Sequence, residues 1–379
     1  MIGPQSAIIA DLRRVTPPAS RSPTLPPAVY TDPDVFTLER DRLFRRGWVG
    51  CGRGDRWPSA GSCAPVDIAG MPVLITRDRS GTLHAFANSC RHRGTELVGA
   101  PCRLARIVCP FHAWAYALDG RLVAAPRMES ACGFDMAEHG LHAYHVAERA
   151  GFVFVSLDAA PCSIDDWLGD FEAVHEPWPL DQLVTTRRLE RDIPCNWKLF
   201  LEVFNEYYHL GSVHRRTFGA IYDEPDPPDA AAGNFTSQFG TTSGTGALKS
   251  GDQAHALDSM PGLGGRHLSG TRYTWIYPNM TFAAGREAMW MLEAWPRAAD
   301  SCRAVMSVCF PEETRVVPGF ERASRRYYQR MDEAMDEDIS ILERQQGGMA
   351  SPDAVPGRFS ALEPSLANFA FWYAALLAA

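Results

Sequence analysis

Two histidines and a distant aspartate have the types and spacing to hold a redox-active metal. His209 and His214 are five positions apart, so on a straight helix their side chains would diverge by roughly 140°. We therefore expect a bend at Gly211, between them, to direct both imidazoles to one point. Asp338 lies beside the apolar stripe of a predicted helix over residues 331–342, where an unpaired carboxylate is costly. Two histidines, one carboxylate and open coordination positions are the ligand set of non-haem iron(II) sites.

Glu206 is the residue that could orient one of these ligands. It precedes His209 by three positions, which places the two side chains on the same face if the segment is helical. A carboxylate that accepts a hydrogen bond from a metal-bound imidazole fixes the tautomer of that ring. We therefore predict that Glu206 acts behind His209 and is not itself a ligand.

A second candidate metal site comes earlier in the chain. Cys90 and His92 form one close pair, and Cys109 and His112 form another. Two thiolates and two imidazoles could bind zinc tetrahedrally, or they could hold a Rieske [2Fe–2S] cluster, with the cysteines on one iron and the histidines on the other. Because each pair contains one cysteine and one histidine, the spacing favours the Rieske cluster.

Both sets of residues, in this order and separation, resemble the oxygenase α subunit of Rieske non-haem iron oxygenases. The matching motifs extend over the chain from about residue 30 onward, and they are Cys90–Gly94, Cys109–Trp114, Asn196–Lys198, Glu206–His209 and His214. The resemblance implies a Rieske [2Fe–2S] cluster, a mononuclear iron(II) and O2 as co-substrate. It also implies electrons from NAD(P)H through a separate flavin-containing reductase, with or without a ferredoxin.

The resemblance further implies a homotrimer in which electrons cross a subunit boundary. Glu206 would then accept hydrogen bonds from His209 and from His112 of a neighbouring subunit. Familiar ring-hydroxylating members have aspartate at this position, whereas the branch that acts on quaternary ammonium compounds has glutamate. We therefore expect hydroxylation or oxidative N-demethylation of a small quaternary ammonium or betaine-type substrate.

Such a cation needs an aromatic cage, and six rings are candidates for it: Tyr207, Tyr208, Trp275, Tyr277, Trp290 and Trp295. Each of these rings could equally belong to the ordinary core. Glutamate at position 206 could also simply compensate for a wider gap between subunits, so hydroxylation of an aromatic or natural-product substrate stays open. From another class, a Rieske electron carrier without oxygenase activity would need only the cysteine and histidine pairs.

The elements that must position these residues predict an α+β protein. Residues 1–29 are expected to be a flexible proline-rich arm, and residues 30–160 a helix followed by an antiparallel β domain with the cluster loops at its tip. Residues 161–379 are expected to form the catalytic domain, and the resemblance implies a helix-grip fold for it, with an antiparallel sheet around a long helix. Between its elements, residues 218–270 read as a mobile cover over the substrate entrance or as a disordered insertion.

Composition excludes other classes of protein. The chain has 379 residues and a net charge of −8, which argues against nucleic acid as a partner. No stretch reads as a membrane span or a secretory signal. A cluster needs thiolates that are kept from forming disulfides, so we expect a cytoplasmic location.

Overall fold

The computed structural model describes residues 4–215, 217 and 221–379. These residues divide into two compact units. One unit is Phe44–Pro161, and the other joins the chain up to Leu43 with Cys162–Ala379.

The unit Phe44–Pro161 is built from antiparallel strands, as predicted. They are β1 (Trp48–Arg53), β2 (Ser62–Ile68), β3 (Met71–Arg77), β4 (Leu83–Ala87), β5 (Cys102–Arg103), β6 (Ile107–Val108), β7 (Ala115–Tyr116), β8 (Leu122–Ala124), β9 (Ala143–Arg149) and β10 (Phe152–Ser156), with short 3-10 helices at Gly54–Arg56 and Met136–His139. A seven-stranded sheet has the order β1-β10-β9-β4-β3-β2-β5, and β6-β7-β8 form a smaller sheet.

The second unit contains helices α1 (Pro4–Leu12), α2 (Ala28–Thr31), α3 (Pro33–Glu39), α4 (Ile164–Leu168), α5 (Phe171–His175), α6 (Trp197–Phe204), α7 (Glu312–Arg315), α8 (Phe320–Met349) and α9 (Pro364–Ala378). Its strands are β11 (Leu183–Ile193), β12 (Phe235–Thr241), β13 (Gly270–Ile276), β14 (Met280–Ala284), β15 (Met289–Ala298) and β16 (Ser301–Pro311). A π-helical turn lies at Arg40–Phe44, and 3-10 helices lie at Leu180–Gln182, Ser250–His255 and Gly265–Ser269.

The strands of this second unit form one antiparallel sheet, and the helices α6 and α8 pack against it. The strand order is β11-β16-β15-β14-β13-β12. Asn196 caps α6, because its side-chain oxygen accepts the backbone N–H of Lys198 at 2.9 Å. The predicted apolar stripe is present on α8, where Met331, Met335 and Leu342 are buried. A sheet that packs against a long helix is the architecture expected for the catalytic domain.

The N-terminal segment corrects the predicted domain boundaries. Contrary to the expected flexible arm at residues 1–29 and the domain start at residue 30, the chain up to Leu43 belongs with Cys162–Ala379. Its Glu39 is fully buried and accepts hydrogen bonds from Lys198 Nζ at 2.5 Å and from Tyr373 Oη at 2.5 Å. A buried ion pair of this kind holds α3 against α6 and α9.

The predicted cover at residues 218–270 is also partly wrong. Residues 235–241 form β12, which pairs with β13 along its whole length, so this part of the segment is the edge of the sheet. Residues 218–220 lie outside the described residues. Within the part of the chain that the structure describes, no helix has the length and apolar character that crossing a bilayer requires.

Candidate active site and cluster site

The structure brings His209, His214 and Asp338 together. One ligand atom from each side chain lies within 4.8 Å of the other two. Asp338 Oδ1 lies 3.0 Å from His214 Nε2 and 3.8 Å from His209 Nε2. Two imidazoles and a carboxylate therefore converge on one point, as the sequence predicts.

Each histidine is oriented by a carboxylate on its other nitrogen. His209 Nδ1 donates to Glu206 Oε1 at 2.5 Å, and His214 Nδ1 donates to Glu337 Oε2 at 2.6 Å. A proton on each Nδ1 leaves the lone pair on Nε2, and both Nε2 atoms face Asp338. This tautomer is the one that metal-binding histidines adopt when an acid supports them.

The local backbone differs from the expected bent helix. Helix α6 ends at Phe204, and the residues from Glu206 to His214 follow as turns. Glu206 stabilises this turn because its carboxylate also accepts the backbone N–H groups of Tyr208 and of His209, the latter at 3.0 Å. The histidines converge because the helix has ended, so the break lies before His209 and not at Gly211 alone.

A cation fits between the three side chains. Asp338 is about nine-tenths buried, and its Oδ1 accepts no hydrogen bond from the described residues, a costly arrangement unless a cation compensates it. Burial opposes protonation of His209, but the hydrogen bond and charge of Glu206 and the charge of Asp338 outweigh it and raise its pKa. The same negative charges would favour a divalent metal ion at this position.

A cavity opens beside this point and is rich in aromatic side chains. Its lining includes Phe204, Tyr207, Tyr273, Trp290, Arg330 and Asp338. Tyr273 and Trp290 lie in one row across the sheet, because both pair with Ala283 on the strand between them. The small alanine lets the two rings approach to 6.2 Å between centroids. Two aromatic residues of the sheet, Tyr273 and Trp290, thus form part of the aromatic wall of the cavity.

Of the six predicted cage residues, Tyr207 and Trp290 line this cavity and four do not. Trp275 follows Tyr273 by two positions and shares its face of β13, but it stacks on Phe369 of α9 at 3.9 Å between centroids. Tyr277 packs against Trp372 of the same helix at 4.7 Å. For Trp275, alternation indicated the same face as Tyr273, but α9 covers both Trp275 and Tyr277.

The remaining two predicted rings face elsewhere. Tyr208 is 63% exposed and lies outside the cavity lining. Trp295 follows Trp290 by five positions, so strand alternation places it on the opposite face, where its indole N–H donates to Glu293 at 3.1 Å. The parity of positions within β15 would have excluded Trp295 from the sequence alone.

The sequence analysis missed Tyr273, Arg330 and Glu337 as residues of this site. Tyr273 has the parity of Trp275 and could have been found by that signal. Arg330 precedes Asp338 by eight positions, so both lie on one face of α8. Glu337 has no such signal, because its role depends on where the turn delivers His214.

The cluster residues lie in two loops of the same geometry. The backbone N–H of Cys90 donates to Thr95 and its carbonyl accepts from Gly94, and Cys109 makes the same two bonds, with Trp114 and Ala113. Gly94 has φ 74° and Ala113 has φ 59°, so both loops turn through a left-handed residue at the fourth position after the cysteine. One sequence pattern has thus produced two equivalent tight turns.

The cysteines and histidines of these loops lie at different depths. Cys90 and Cys109 are buried, whereas His112 is exposed and its Nδ1 lies 3.1 Å from Nδ1 of His92. The Cys90 thiol contacts the hydroxyl of Tyr116 at 3.3 Å. Burial opposes ionisation of Cys109, but the backbone N–H groups of Phe111 and His112 outweigh it and lower its pKa.

This arrangement fits a cluster with one iron on the buried thiolates and one on the outer imidazoles. A tetrahedral zinc would draw all four ligand atoms to within about 4 Å of each other. Among the described residues, the one group of three or more potential ligand atoms this close is His209, His214 and Asp338. The cysteine and histidine positions therefore do not fit zinc.

Comparison with known families identifies both domains of the chain. Residues 177–379 match the model of the ring hydroxylating alpha subunit (catalytic domain), and residues 48–145 match that of the Rieske [2Fe-2S] domain. The zinc alternative and the alternative of an electron carrier without a catalytic domain are therefore both wrong.

Named oxygenase subunits and solved structures are also similar to this chain. The chain is 28% identical to the glycine betaine monooxygenase oxygenase subunit of Pseudomonas aeruginosa, over 92% of this chain and 88% of that protein. It is 37% identical to the subunit of that name from Chromohalobacter salexigens, over 55% of this chain but only 47% of that protein. The fold matches the quaternary ammonium Rieske monooxygenase CntA in complex with L-carnitine, with a TM-score of 0.78 at 24% identity over 94% of this chain and 96% of that one. The chain therefore belongs to the α subunits of Rieske non-haem iron oxygenases, oxidoreductases that carry a Rieske [2Fe–2S] cluster and a mononuclear iron.

Proposed function

We propose that this chain is the terminal oxygenase component that hydroxylates an N-methyl group of a quaternary ammonium, betaine-type substrate. One oxygen atom of O2 enters the C–H bond, and the other leaves as water after taking up two electrons and two protons. The hydroxymethyl group then leaves as formaldehyde, so the net change is N-demethylation. The names of the relatives given above indicate that those proteins act on compounds of this class.

One observation supports this substrate class most directly: the cavity beside His209, His214 and Asp338 has aromatic walls. Faces of tyrosine, tryptophan and phenylalanine attract an organic cation that has lost its water. Phe204 and Tyr207 approach Tyr273 to 5.4 and 5.7 Å between ring centroids. This group of rings offers an aromatic surface to a trimethylammonium group, which cannot make hydrogen bonds.

We assign each metal centre to a set of residues that lie close together in the structure. Cys90, His92, Cys109 and His112 would hold the Rieske cluster, and His209, His214 and Asp338 would hold the mononuclear iron. When bound, that iron supplies reductive activation of O2 with electrons from the cluster. The residues around it have separate tasks: Glu206 and Glu337 hold the imidazole protons on Nδ1, and the aromatic wall orients the substrate.

We further propose that Glu206 also connects neighbouring subunits of a homotrimer. It lines the cavity described above, and with Glu202, Arg344 and Glu363 it borders a second, more open depression. An acid that reaches both spaces can contact His209 on one side and a neighbour's His112 on the other. A closed ring of three copies would supply that neighbour for every subunit.

A separate reductase would deliver the electrons from NAD(P)H, and the need for free thiolates favours the cytoplasm. The test uses the purified, iron-loaded protein with a surrogate reductase and NADH. Glycine betaine and carnitine are compared with benzoate and naphthalene, and formaldehyde and ring-hydroxylated products are measured alongside O2 consumption. We expect formaldehyde in proportion to the O2 consumed with a betaine. A ring diol from an aromatic compound, with no formaldehyde from any betaine, would contradict the proposal.

A further inference from the structure

Arg330 places a positive charge in the cavity, at a distance from the metal-binding residues. It lies on α8 eight positions before Asp338, with Ala334 midway between them, and all three line the cavity. Eight residues of helix correspond to a rise of about 12 Å. Ala334 has a small side chain, and with Met331 and Met335 it continues the cavity lining along α8 from the arginine to the aspartate.

The Arg330 guanidinium is held in place by its neighbours. It is 4% exposed, its Nη2 donates to the hydroxyl of Tyr222 at 3.3 Å, and its Cζ lies 5.2 Å from the ring centre of Trp290. Tyr222 is fixed in turn, because its hydroxyl accepts a hydrogen bond from the Tyr273 hydroxyl at 2.8 Å and donates one to the Gly246 carbonyl at 3.1 Å. A charged group that is already oriented loses little entropy when it binds a ligand.

The indole of Trp290, against which the Arg330 guanidinium stacks, brings a second donor to the cavity lining. Trp290 is 2% exposed, and its Nε1–H finds no acceptor among the described residues. Leaving a buried N–H without an acceptor costs free energy unless a ligand or water supplies one. A guanidinium beside such an N–H suits an anion, and a carboxylate above all, because it can accept from both groups.

The charges also decide which way a zwitterion would lie. Arg330 already occupies a face of Trp290 and repels a substrate cation, whereas Glu206 and Asp338 attract one. The ammonium group would therefore lie toward the acidic end, against Phe204 and Tyr207, and an anionic group would lie toward Arg330. This orientation brings the N-methyl carbons, and not the carboxylate, to the metal-binding residues.

We propose that Arg330 binds the carboxylate of the substrate and thereby makes the enzyme select betaines over choline. This inference rests on the proposed function for the identity of the cationic group. Choline carries the same trimethylammonium group, but its neutral hydroxyl cannot form an ion pair with the guanidinium.

The test measures binding on the iron-loaded, cluster-containing protein by isothermal titration calorimetry, with glycine betaine, carnitine, choline and benzoate as ligands. We expect wild-type protein to bind the better betaine at least about tenfold more tightly than choline. Arg330→Gln should weaken the binding of that betaine by about 10–100-fold, the equivalent of one charge-assisted hydrogen bond. It should leave the affinity for choline within about threefold, because choline makes no ion pair there.

Arg187→Gln is the matched control. Its guanidinium also lies 5.2 Å from an aromatic ring, that of Tyr328, and it bonds to Asp332 of α8, but it lies outside the cavity lining. This variant should leave both affinities unchanged. Thermal unfolding and iron content of both variants show whether they are intact, and Arg330→Lys, which keeps the charge, should retain part of the preference for betaine.

The outcomes separate this inference from the proposed function. Equal binding of choline and the betaines to the wild type, or an equal loss of both in Arg330→Gln, would overturn the role of Arg330 while the proposed function stands. Arg330-dependent binding of benzoate without binding of any betaine would support the arginine as a carboxylate site and overturn the quaternary ammonium substrate. If none of the four ligands binds, both proposals are wrong.

Discussion

At the scale of single residues, Asp338 is the side chain on which the proposed mononuclear iron site depends. Its carboxylate lies close to both histidine Nε2 atoms, and its Oδ1 accepts no hydrogen bond from the described residues. We expect Asp338→Ala to lower the iron content from about three to about two per chain, because only the two-iron cluster remains. The visible spectrum of the cluster should stay intact while turnover is lost.

Asp336→Ala is the control for that experiment. Asp336 is two positions away on the same helix, is exposed, and pairs with Arg191, so its loss should leave three irons and full turnover. If Asp338→Ala keeps its third iron, the carboxylate ligand must be a different one, and Glu337 would be the first to examine because it already contacts His214.

Glu206 has a role that iron content does not report. Glu206→Gln keeps an oxygen that can accept the His209 proton, but it removes the negative charge. We expect both metal centres to be retained and the oxidation of the reduced cluster in a single turnover to slow by about 10–100-fold, as is typical when the acid behind a metal-binding histidine is changed. Cluster oxidation at the wild-type rate would show that electrons reach the iron without this carboxylate.

At the scale of elements, the N-terminal segment and α6 share a partly buried acid, Glu202, whose ionisation opposes folding. Burial, only partly offset by Tyr30 and Lys198, raises the pKa of Glu202 to about 7 from an ordinary value of 4.5. Between these two values the folded protein binds more protons at this site than the unfolded chain does. The stability from Glu202 is therefore complete below about pH 4.5 and is lost as the pH rises through about 7.

Glu202→Gln removes this titration and keeps an oxygen that can accept the Tyr30 hydroxyl, which lies 2.8 Å from the Glu202 carboxylate. We measure the unfolding temperature of the variant minus that of the wild type. We expect this difference to be more positive at about pH 8 than at about pH 5.5. Glu172→Gln, at an exposed position of α5, should show the same difference at both pH values. A Glu202→Gln difference that does not change with pH would mean that this carboxyl titrates normally in the folded protein.

At the scale of the whole molecule, the proposed trimer predicts that two inactive chains can restore activity together. His92→Ala should lose the cluster and Asp338→Ala the mononuclear iron, so each alone should be inactive. If electrons cross between subunits, co-expressed chains purified as mixed trimers should recover about a third of wild-type turnover. Every trimer that contains both chains has one competent neighbouring pair of its three.

The measurement is formaldehyde release by complexes purified through a different tag on each chain, with their mass checked by analytical ultracentrifugation. Mixed complexes of trimer mass that show no turnover would indicate that each iron depends on the cluster of its own chain. A dimeric mass would remove the ring on which the prediction depends.

The amino-acid sequence by itself indicated the proposed ligand sets, because most of those residues are close together in the chain. Cysteine and histidine within four positions specify a tight loop, and the two loops are equivalent because the same local backbone bonds close both of them. The strands could also be predicted from the sequence. Their alternation indicated the sheet face of Tyr273 and Trp275 and could have excluded Trp295. Asp338 was found because an acid beside an apolar helical stripe is costly wherever the helix packs.

Tertiary structure alone decided what depends on contacts between distant segments. Helix α9 covers Trp275 and Tyr277 but leaves Tyr273 open to the cavity, and no pattern within β13 distinguishes Tyr273 from Trp275. Glu39 joins the N-terminal segment to Lys198 across 159 positions, which moved a domain boundary that composition had placed elsewhere. Glu337 reaches His214 across 123 positions, and the physical reason is the same: the free energy of a buried charge is set by the partner that folding brings to it.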